Sequence, residues 1–123
     1  MKKIGFITKN KMLAQSFIAA AAADKSVDFE LFSLLNFRQA VLDTEVLAID
    51  LAVVDGSYEI GTALQLCGQL RARNPGIRLL FIVGQQSRWD SEIVVAAKRV
   101  GRIDDFLFYD ASLGYLIAKL KSM

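Results

Sequence analysis

The sequence contains no histidine, a single cysteine and no long hydrophobic run. Without histidine, the chain lacks the usual general base of serine and cysteine nucleophiles and the commonest ligand of metal ions. The lone Cys67 cannot form an internal disulfide, and its apolar helical surroundings predict a core thiol in a reducing cytoplasm. The longest apolar run, Phe17–Ala23, has seven residues, far fewer than the roughly 20 that span a bilayer. These absences argue against histidine-dependent catalysis, disulfide-stapled folds and membrane insertion.

Positive and negative residues nearly balance. Fifteen Lys and Arg against 13 Asp and Glu give a net charge of +2, and the two signs are interspersed along the chain. Domains that bind nucleic acids usually carry a clustered basic patch, and this sequence has none. Lys9, Asn10 and Lys11 interrupt the segment in which a secretory signal would need its apolar core. We therefore expect a cytoplasmic protein that binds neither nucleic acid nor membrane.

The length and hydrophobic content predict one domain. With 123 residues, 54% of them hydrophobic, the chain is long enough for one compact core and too short for two. No linker or low-complexity tract divides residues 1–123. Whether a longer parent protein continues after residue 123 stays open.

Apolar patterns predict five strands, each followed by a helix. The predicted strands are Ile4–Ile7, Val27–Leu34, Ile49–Val54, Ile77–Val83 and Phe106–Phe108. The signals that predict helix ends are Asn10 before the first helix, Asn74-Pro75-Gly76 after the third, Ser87 with Asp90 before the fourth and Gly101 after it. Leu13, Phe17 and Ala20 are expected on the buried face of the first helix. Such alternation favours a doubly wound (βα)5 domain of the α/β class, with helices on both faces of a parallel sheet.

Three segments, in order and at suitable spacing, resemble the response-regulator receiver (CheY-like) family. Ile49–Asp55 resembles the strand that ends in the phosphate-accepting aspartate, and Leu70–Ile77 resembles the passage from the third helix to the fourth strand. Gly101–Phe108 resembles the entry to the fifth strand, and the seven residues from Asp104 follow the rhythm of the family's Asp-Asp-Tyr-Leu-Val-Lys-Pro. The resemblance covers the whole chain. It implies a flavodoxin-like sheet with strand order 2-1-3-4-5, and it makes Asp55 the candidate phosphoacceptor.

The other residues of the family's phosphorylation site are replaced. The two adjacent acids that help to hold Mg²⁺ in the family fall on Thr8 and Lys9. The hydroxyl residue of the fourth strand falls on Val83, or on Gly84 after a slip of one residue, and the family lysine falls on Tyr109. With few anionic ligands and a nearby ammonium, Mg²⁺ should bind poorly. The resemblance therefore implies a degenerate pseudo-receiver with neither a catalytic residue nor a metal site.

Individual residues leave alternatives open. Lys9 either pairs with Asp55 as a fixed substitute for the metal or points into solvent. Asp55 is interpreted first as a strand-end acid that caps the following loop, and only second as a working phosphate acceptor. Tyr109 either donates its phenol to Asp55 or packs half-buried at a strand end. Phe106 occupies the family's aromatic switch position, but a core position is the simpler expectation, and Asp104–Asp105 are expected to be solvated.

The family often forms dimers or binds partners through the fourth helix, the fifth strand and the fifth helix. In this sequence that face would comprise Trp89, Glu92, Lys98, Arg102, Tyr109, Tyr115 and Lys119. Tryptophan and tyrosine are the anchor residues that interfaces favour. The alternative is that Trp89 staples the start of its helix and Tyr115 packs locally.

These observations predict a function by resemblance. We expect a phosphorylation-independent interaction or regulatory module of bacterial signal transduction or transcription control, with a protein partner or a second copy and with neither enzymatic activity nor a cofactor. One alternative is an atypical receiver that still accepts phosphate at Asp55. Another is a flavodoxin-like domain that binds a small molecule, for which Ser57, Tyr58 and Thr62 are weak candidates.

Overall fold

A computed structural model of the chain describes residues 1–84 and 88–123. The strands are β1 (Lys2–Ile7), β2 (Phe29–Leu34), β3 (Leu51–Asp55), β4 (Arg78–Val83) and β5 (Asp105–Phe108). The helices are α1 (Lys11–Ala23), α2 (Phe37–Val46), α3 (Ile60–Arg73), α4 (Arg88–Arg99) and α5 (Leu113–Ser122). The predicted helix start at Ser87 lies outside the described residues.

The five strands form one parallel sheet in the order β2-β1-β3-β4-β5, which confirms the predicted fold class. Ile7 pairs with Val54 across β1 and β3, and Asp55 pairs with Ile82 across β3 and β4. Because all strands run the same way, their carboxyl ends and the loops that follow lie along one edge of the sheet. The residues just after Ile7 therefore meet those at the end of β3.

Two apolar clusters cover the two faces of the sheet, as a doubly wound fold requires. One face packs against α1 and α5, and there the rings of Phe6 and Phe17 lie 5.0 Å apart. The other face packs against α2, α3 and α4 and contains Cys67. Burial raises the pKa of the Cys67 thiol to about 12, so the interpretation of this residue as core is confirmed and its thiolate is scarce at neutral pH.

The helix ends follow the sequence signals. The Asn10 side chain accepts a hydrogen bond from the backbone of Leu13 and caps α1. Gly101, with φ of 80°, follows α4 in the left-handed conformation that a glycine adopts without strain. One detail of the prediction is wrong. The buried face of α1 consists of Ala14, Phe17 and Ala21, while Leu13 and Ala20 are half-buried at its margin.

Among the described residues, no helix combines the length and the apolar character needed to cross a membrane.

Candidate functional site

The carboxylate of Asp55 lies at the carboxyl edge of the sheet and is almost completely enclosed. Its side chain is 1% exposed. Oδ2 accepts a hydrogen bond from the hydroxyl of Thr8 at 2.6 Å. Oδ1 accepts two more, from the backbone N–H of Ser57 at 2.9 Å and from its hydroxyl at 2.6 Å. Hydrogen bonds to a carboxylate are stronger than neutral ones, so two hydroxyls and one amide hold this buried acid in place.

The sheet and a local turn build this arrangement together. Thr8 and Asp55 meet because β1 and β3 are parallel neighbours, so their carboxyl ends lie side by side. Ser57 reaches the same carboxylate by the short-range turn that an aspartate makes with the backbone two residues later. The interpretation of Asp55 as an acid that caps the following loop is thus confirmed. The roles of Thr8 and Ser57 as hydroxyl donors were missed, although Asp-x-Ser is the pattern of such a turn.

Two glycines let the loop after β3 close over this site. A Cβ atom on Gly56 would overlap the ring of Phe81. A Cβ atom on Gly84 would lie 3.3 Å from the Cα of Ser57, so the end of β4 packs directly against the loop. Val83, where the family hydroxyl was expected, is fully buried in the apolar core. Neither Val83 nor Gly84 offers a side-chain donor, and in this structure the hydroxyls that contact Asp55 come from Thr8 and Ser57.

Lys9 does not approach Asp55. Its side chain is exposed, and Nζ lies 5.4 Å from the centre of the Phe37 ring, a cation–π contact at the start of α2. The hypothesis of a permanent Lys9–Asp55 pair is therefore wrong. The physical reason is that the hydroxyls of Thr8 and Ser57 already satisfy the carboxylate, so an ammonium group gains little by entering the site.

Tyr109 also has a different partner from the one proposed. It lies directly after β5, is exposed, and its hydroxyl accepts a hydrogen bond of 3.2 Å from the Asn10 side chain. Asn10 thereby joins the end of β5 to the start of α1, and its backbone N–H donates to Thr8 Oγ1 at 3.0 Å. The proposed hydrogen bond from Tyr109 to Asp55 is absent because Asp55 is fully engaged below this layer.

Phe106 is half-buried rather than a core residue. Its ring packs edge-on against Phe108 with centroids 6.1 Å apart, and Nζ of Lys98 lies 5.8 Å from its centre. The expectation of a core phenylalanine fails because β5 is the edge strand of the sheet, and Lys98 of α4 covers this ring only from one side.

The two acids before and at the start of β5 are paired, so the expectation that they are solvated is wrong. Asp104 accepts hydrogen bonds from Arg71 at 2.6 Å and from the backbone N–H of Leu79 at 2.7 Å. Asp105 lies 2.5 Å from Nζ of Lys119 and 3.0 Å from Nζ of Lys98. Asp104 thus ties β5 to α3 and β4, and Asp105 ties β5 to α4 and α5.

The Lys119–Asp105 pair is expected to affect how the stability of the protein changes as the pH falls. Partial burial raises the pKa of Asp105, but hydrogen bonds from Lys119, the Phe106 amide and Lys98 outweigh it and hold the pKa below its usual value. Because the Asp105 pKa is lower in the folded protein, this carboxylate stabilises the fold at pH values above its unfolded pKa of 3.8. That stabilisation is lost as the pH falls through the pKa of the folded protein. In Lys119→Met, we expect carboxyl NMR titration to show a higher Asp105 pKa and stability to fall less steeply with acid.

The exposed Lys11 of α1 supplies the matched control. Lys11→Met should leave the Asp105 titration unchanged because Lys11 makes no contact with that carboxylate. An Asp105 pKa that is the same in Lys119→Met and in the wild type would contradict the assigned pairing.

The predicted interface residues fall into two groups. Lys98 and Lys119 are engaged by Asp105 in the groove between α4, β5 and α5. The others, Trp89, Glu92, Arg102, Tyr109 and Tyr115, are exposed. Trp89 is 73% exposed, which disfavours the alternative that it staples the start of α4.

The residues around Asp55 do not fit a magnesium ion. Mg²⁺ requires near-octahedral oxygen ligands and usually one or two carboxylates with water. Here the oxygens of the enclosed Asp55 face the Thr8 hydroxyl and the Ser57 hydroxyl and amide. In residues 1–84 and 88–123, no cluster of three or more acidic, cysteine or histidine side chains could hold a metal ion.

No protein-family model and no curated protein sequence matches the chain, but solved structures resemble it. A CheY-like response regulator receiver domain protein from Methanospirillum hungatei JF-1 has a TM-score of 0.79 and 16% identity, over 99% of this chain and 92% of that one. A response regulator from Thermotoga maritima has a TM-score of 0.77 and 19% identity, over 99% and 96%. The pilus assembly protein CpaE from Burkholderia thailandensis E264 has a TM-score of 0.74 and 20% identity, over 99% and 97%. The chain therefore has the five-stranded, doubly wound fold of response-regulator receiver domains.

Proposed function

We propose that this chain is a pseudo-receiver, a cytoplasmic domain that serves bacterial signal transduction or transcription control by binding a protein without being phosphorylated. The observation that carries the proposal is the enclosure of Asp55. Three hydrogen bonds from Thr8 and Ser57 occupy its carboxylate, and its side chain is 1% exposed.

The chemistry of phosphoryl transfer supports this reading of the site. An acceptor carboxylate must present a free oxygen in line with the donor, and metal ions or fixed cations must neutralise the charge that develops. At this edge of the sheet, Oδ2 is bound by Thr8 and Oδ1 by Ser57. The nearest candidate cation in sequence, Lys9, is held over the Phe37 ring instead. The alternative of a phosphate-accepting Asp55 would have to break at least one short hydrogen bond and recruit charge from elsewhere.

The small-molecule alternative gains less support. Ser57 is the best placed of the polar residues proposed for a ligand, but its hydroxyl already donates to Asp55. Tyr58 is exposed on the loop between β3 and α3. A ligand pocket usually gathers several convergent polar groups in an apolar cleft, and this edge supplies a closed loop instead.

Exposed aromatic side chains support the interaction role. Trp89 on α4, Phe108 and Tyr109 at the end of β5, and Tyr115 on α5 all present ring surface to solvent. Aromatic residues of this kind are over-represented at the energetic centres of protein interfaces.

Backbone amide NMR spectra test the proposal. Spectra would be recorded with and without Mg²⁺ plus beryllofluoride, which mimics a phosphoryl group on an acceptor aspartate. We expect no shifts at Asp55, Val83 or Phe106, because the carboxylate is already occupied and the site attracts no metal. Shifts that begin at Asp55 and extend to Phe106 would overturn the proposal and favour the phosphate-accepting alternative.

A double variant provides the matched control. Thr8→Asp combined with Lys9→Asp places acids at the two positions where the family carries them and removes the hydrogen bond from Thr8 to Asp55. If this variant shows shifts that depend on Mg²⁺ and beryllofluoride and the wild type does not, the wild-type site gives no shifts because the family's acids are replaced at positions 8 and 9.

A further inference from the structure

A stripe of exposed apolar side chains runs along α4 and its last turn. Trp89, Ile93, Ala96 and Val100 are spaced by four, three and four residues, the spacing of a coiled-coil seam. Trp89 is 73% exposed, Val100 70% and Ile93 42%. The backbone N–H of Val100 donates to the Ala96 carbonyl at 3.1 Å, so the helical geometry includes the last member of the stripe.

This stripe lies away from the face that α4 shares with β5 and α5. Lys98 marks the β5 side, since it contacts both Asp105 and Phe106. At 3.6 residues per turn, each member of the stripe lies about 140–180° around the helix from Lys98. Val94 and Ala97 are buried against the sheet between these two flanks. The stripe therefore lies on a different side of α4 from Lys98, although Trp89 was among the residues predicted for the family-type interface.

The spacing of the stripe residues, four, three and four positions, is the same in both directions along the helix. If a second copy of α4 lies antiparallel to the first, Trp89 of one copy faces Val100 of the other and Ile93 faces Ala96. A two-fold axis that passes beside the middle of the helix produces both contacts twice, as an isologous interface requires.

The charges beside the stripe select the antiparallel arrangement. Glu92 and Arg99 are seven residues apart, on one side of the seam. In an antiparallel pair, Glu92 of each copy lies beside Arg99 of the other. In a parallel pair, these flanks would lie on opposite sides of the seam, and Glu92 would lie beside Ala97 of the other copy, so the attraction would be lost.

We infer that a second copy of this chain binds antiparallel to α4 through the stripe of Trp89, Ile93, Ala96 and Val100, with Glu92 and Arg99 setting the orientation. The helix spans about 18 Å, and such a contact is smaller than the roughly 800 Å² per partner of a standard stable interface. The dimer is therefore weak, with a dissociation constant on the order of 0.1–1 mM. The inference rests on the proposed function in one respect, since it names the partner of a module that works without phosphorylation.

Sedimentation equilibrium over a concentration series tests the inference on the full chain. The wild type should shift from monomer toward dimer as concentration rises. Trp89 is the only tryptophan, so its emission should move to shorter wavelength over the same range as its ring leaves water. Glu92→Arg and Arg99→Glu should each weaken association about tenfold, because each replaces two attractions by two repulsions.

An equimolar mixture of the two variants gives the decisive result. A copy with Arg at both positions and a copy with Glu at both positions attract each other at both contacts, so the mixture should associate at least as well as the wild type. Arg38→Glu on the exposed surface of α2 is the control and should leave association unchanged. Circular dichroism confirms that each variant is folded.

Three outcomes would overturn the inference. They are a monomeric wild type at every concentration, a mixture no stronger than its components, and an Arg38→Glu variant as weakened as the other two. The series is repeated with Mg²⁺ and beryllofluoride. Association that appears only with beryllofluoride, and follows the charge pattern, would overturn the proposed function while supporting the α4 contact.

Discussion

Replacement of Asp55 by alanine is expected to lower the free energy of unfolding by about 2–4 kcal/mol, because it leaves buried donors without an acceptor. Thr8 Oγ1 would lose its acceptor in a fully buried position, and the amide and hydroxyl of Ser57 would lose theirs. Urea denaturation followed by circular dichroism measures the difference. A loss of stability is expected from the proposed function, in which this aspartate holds a loop and does not accept a phosphoryl group.

The matched control is Asp28→Ala, which removes an exposed acid before β2 and should change stability by less than about 0.5 kcal/mol. An increase in the free energy of unfolding on Asp55→Ala would also be informative. If Asp55→Ala were more stable than the wild type, the carboxylate would be held in unfavourable surroundings, as functional groups often are. That result would count against a structural role and in favour of a retained phosphoacceptor.

Replacement of Gly56 by alanine is expected to destabilise the protein by about 1–3 kcal/mol or more. The new Cβ atom would overlap the Phe81 ring and approach the Ile82 carbonyl oxygen to 3.0 Å. Relief requires movement of a ring that is fully buried, or of the backbone where the Gly56 N–H donates to Ile82 at 2.8 Å. Because Asp55 precedes this residue, amide NMR shifts in the variant should include Ser57 and Thr8.

Gly68→Ala, in the middle of α3, is the matched control. Nothing lies within 4 Å of a Cβ atom at that position, so alanine should stabilise the helix by about 0.5–1 kcal/mol. The two substitutions add the same methyl group and should have opposite effects in urea denaturation. Equal effects would show that the close approach of Phe81 to Gly56 does not constrain the loop.

The sequence was sufficient for the topology because local patterns and chain connectivity specify it. Apolar runs at Ile49–Val54 and Ile77–Val83 indicated buried central strands, and helices between parallel strands leave few arrangements. The error on α1 was a shift of about one position around the helix. Leu13 and Ala14 are both apolar, so hydrophobicity alone does not decide which of them faces the core.

The site was less predictable than the fold. The sequence identified Asp55 and the replacement of the residues that usually surround it. It did not identify the Thr8 hydroxyl as a donor to Asp55, because that contact joins residues 47 positions apart and depends on the register of β1 and β3. The pairing of Asp105 with Lys119 was missed for the same reason, since a charged residue at a strand end gives no local sign of a partner on a distant helix.

Asn10 uses its backbone and both ends of its side-chain amide. It caps α1 through Leu13, donates to Thr8 beside Asp55, and holds the hydroxyl of Tyr109 after β5. One residue thus connects the end of β1, the start of α1 and the end of β5 through hydrogen bonds. A change in the position of Tyr109 therefore removes one hydrogen bond from the residue that caps α1 and that also contacts the donor of Asp55.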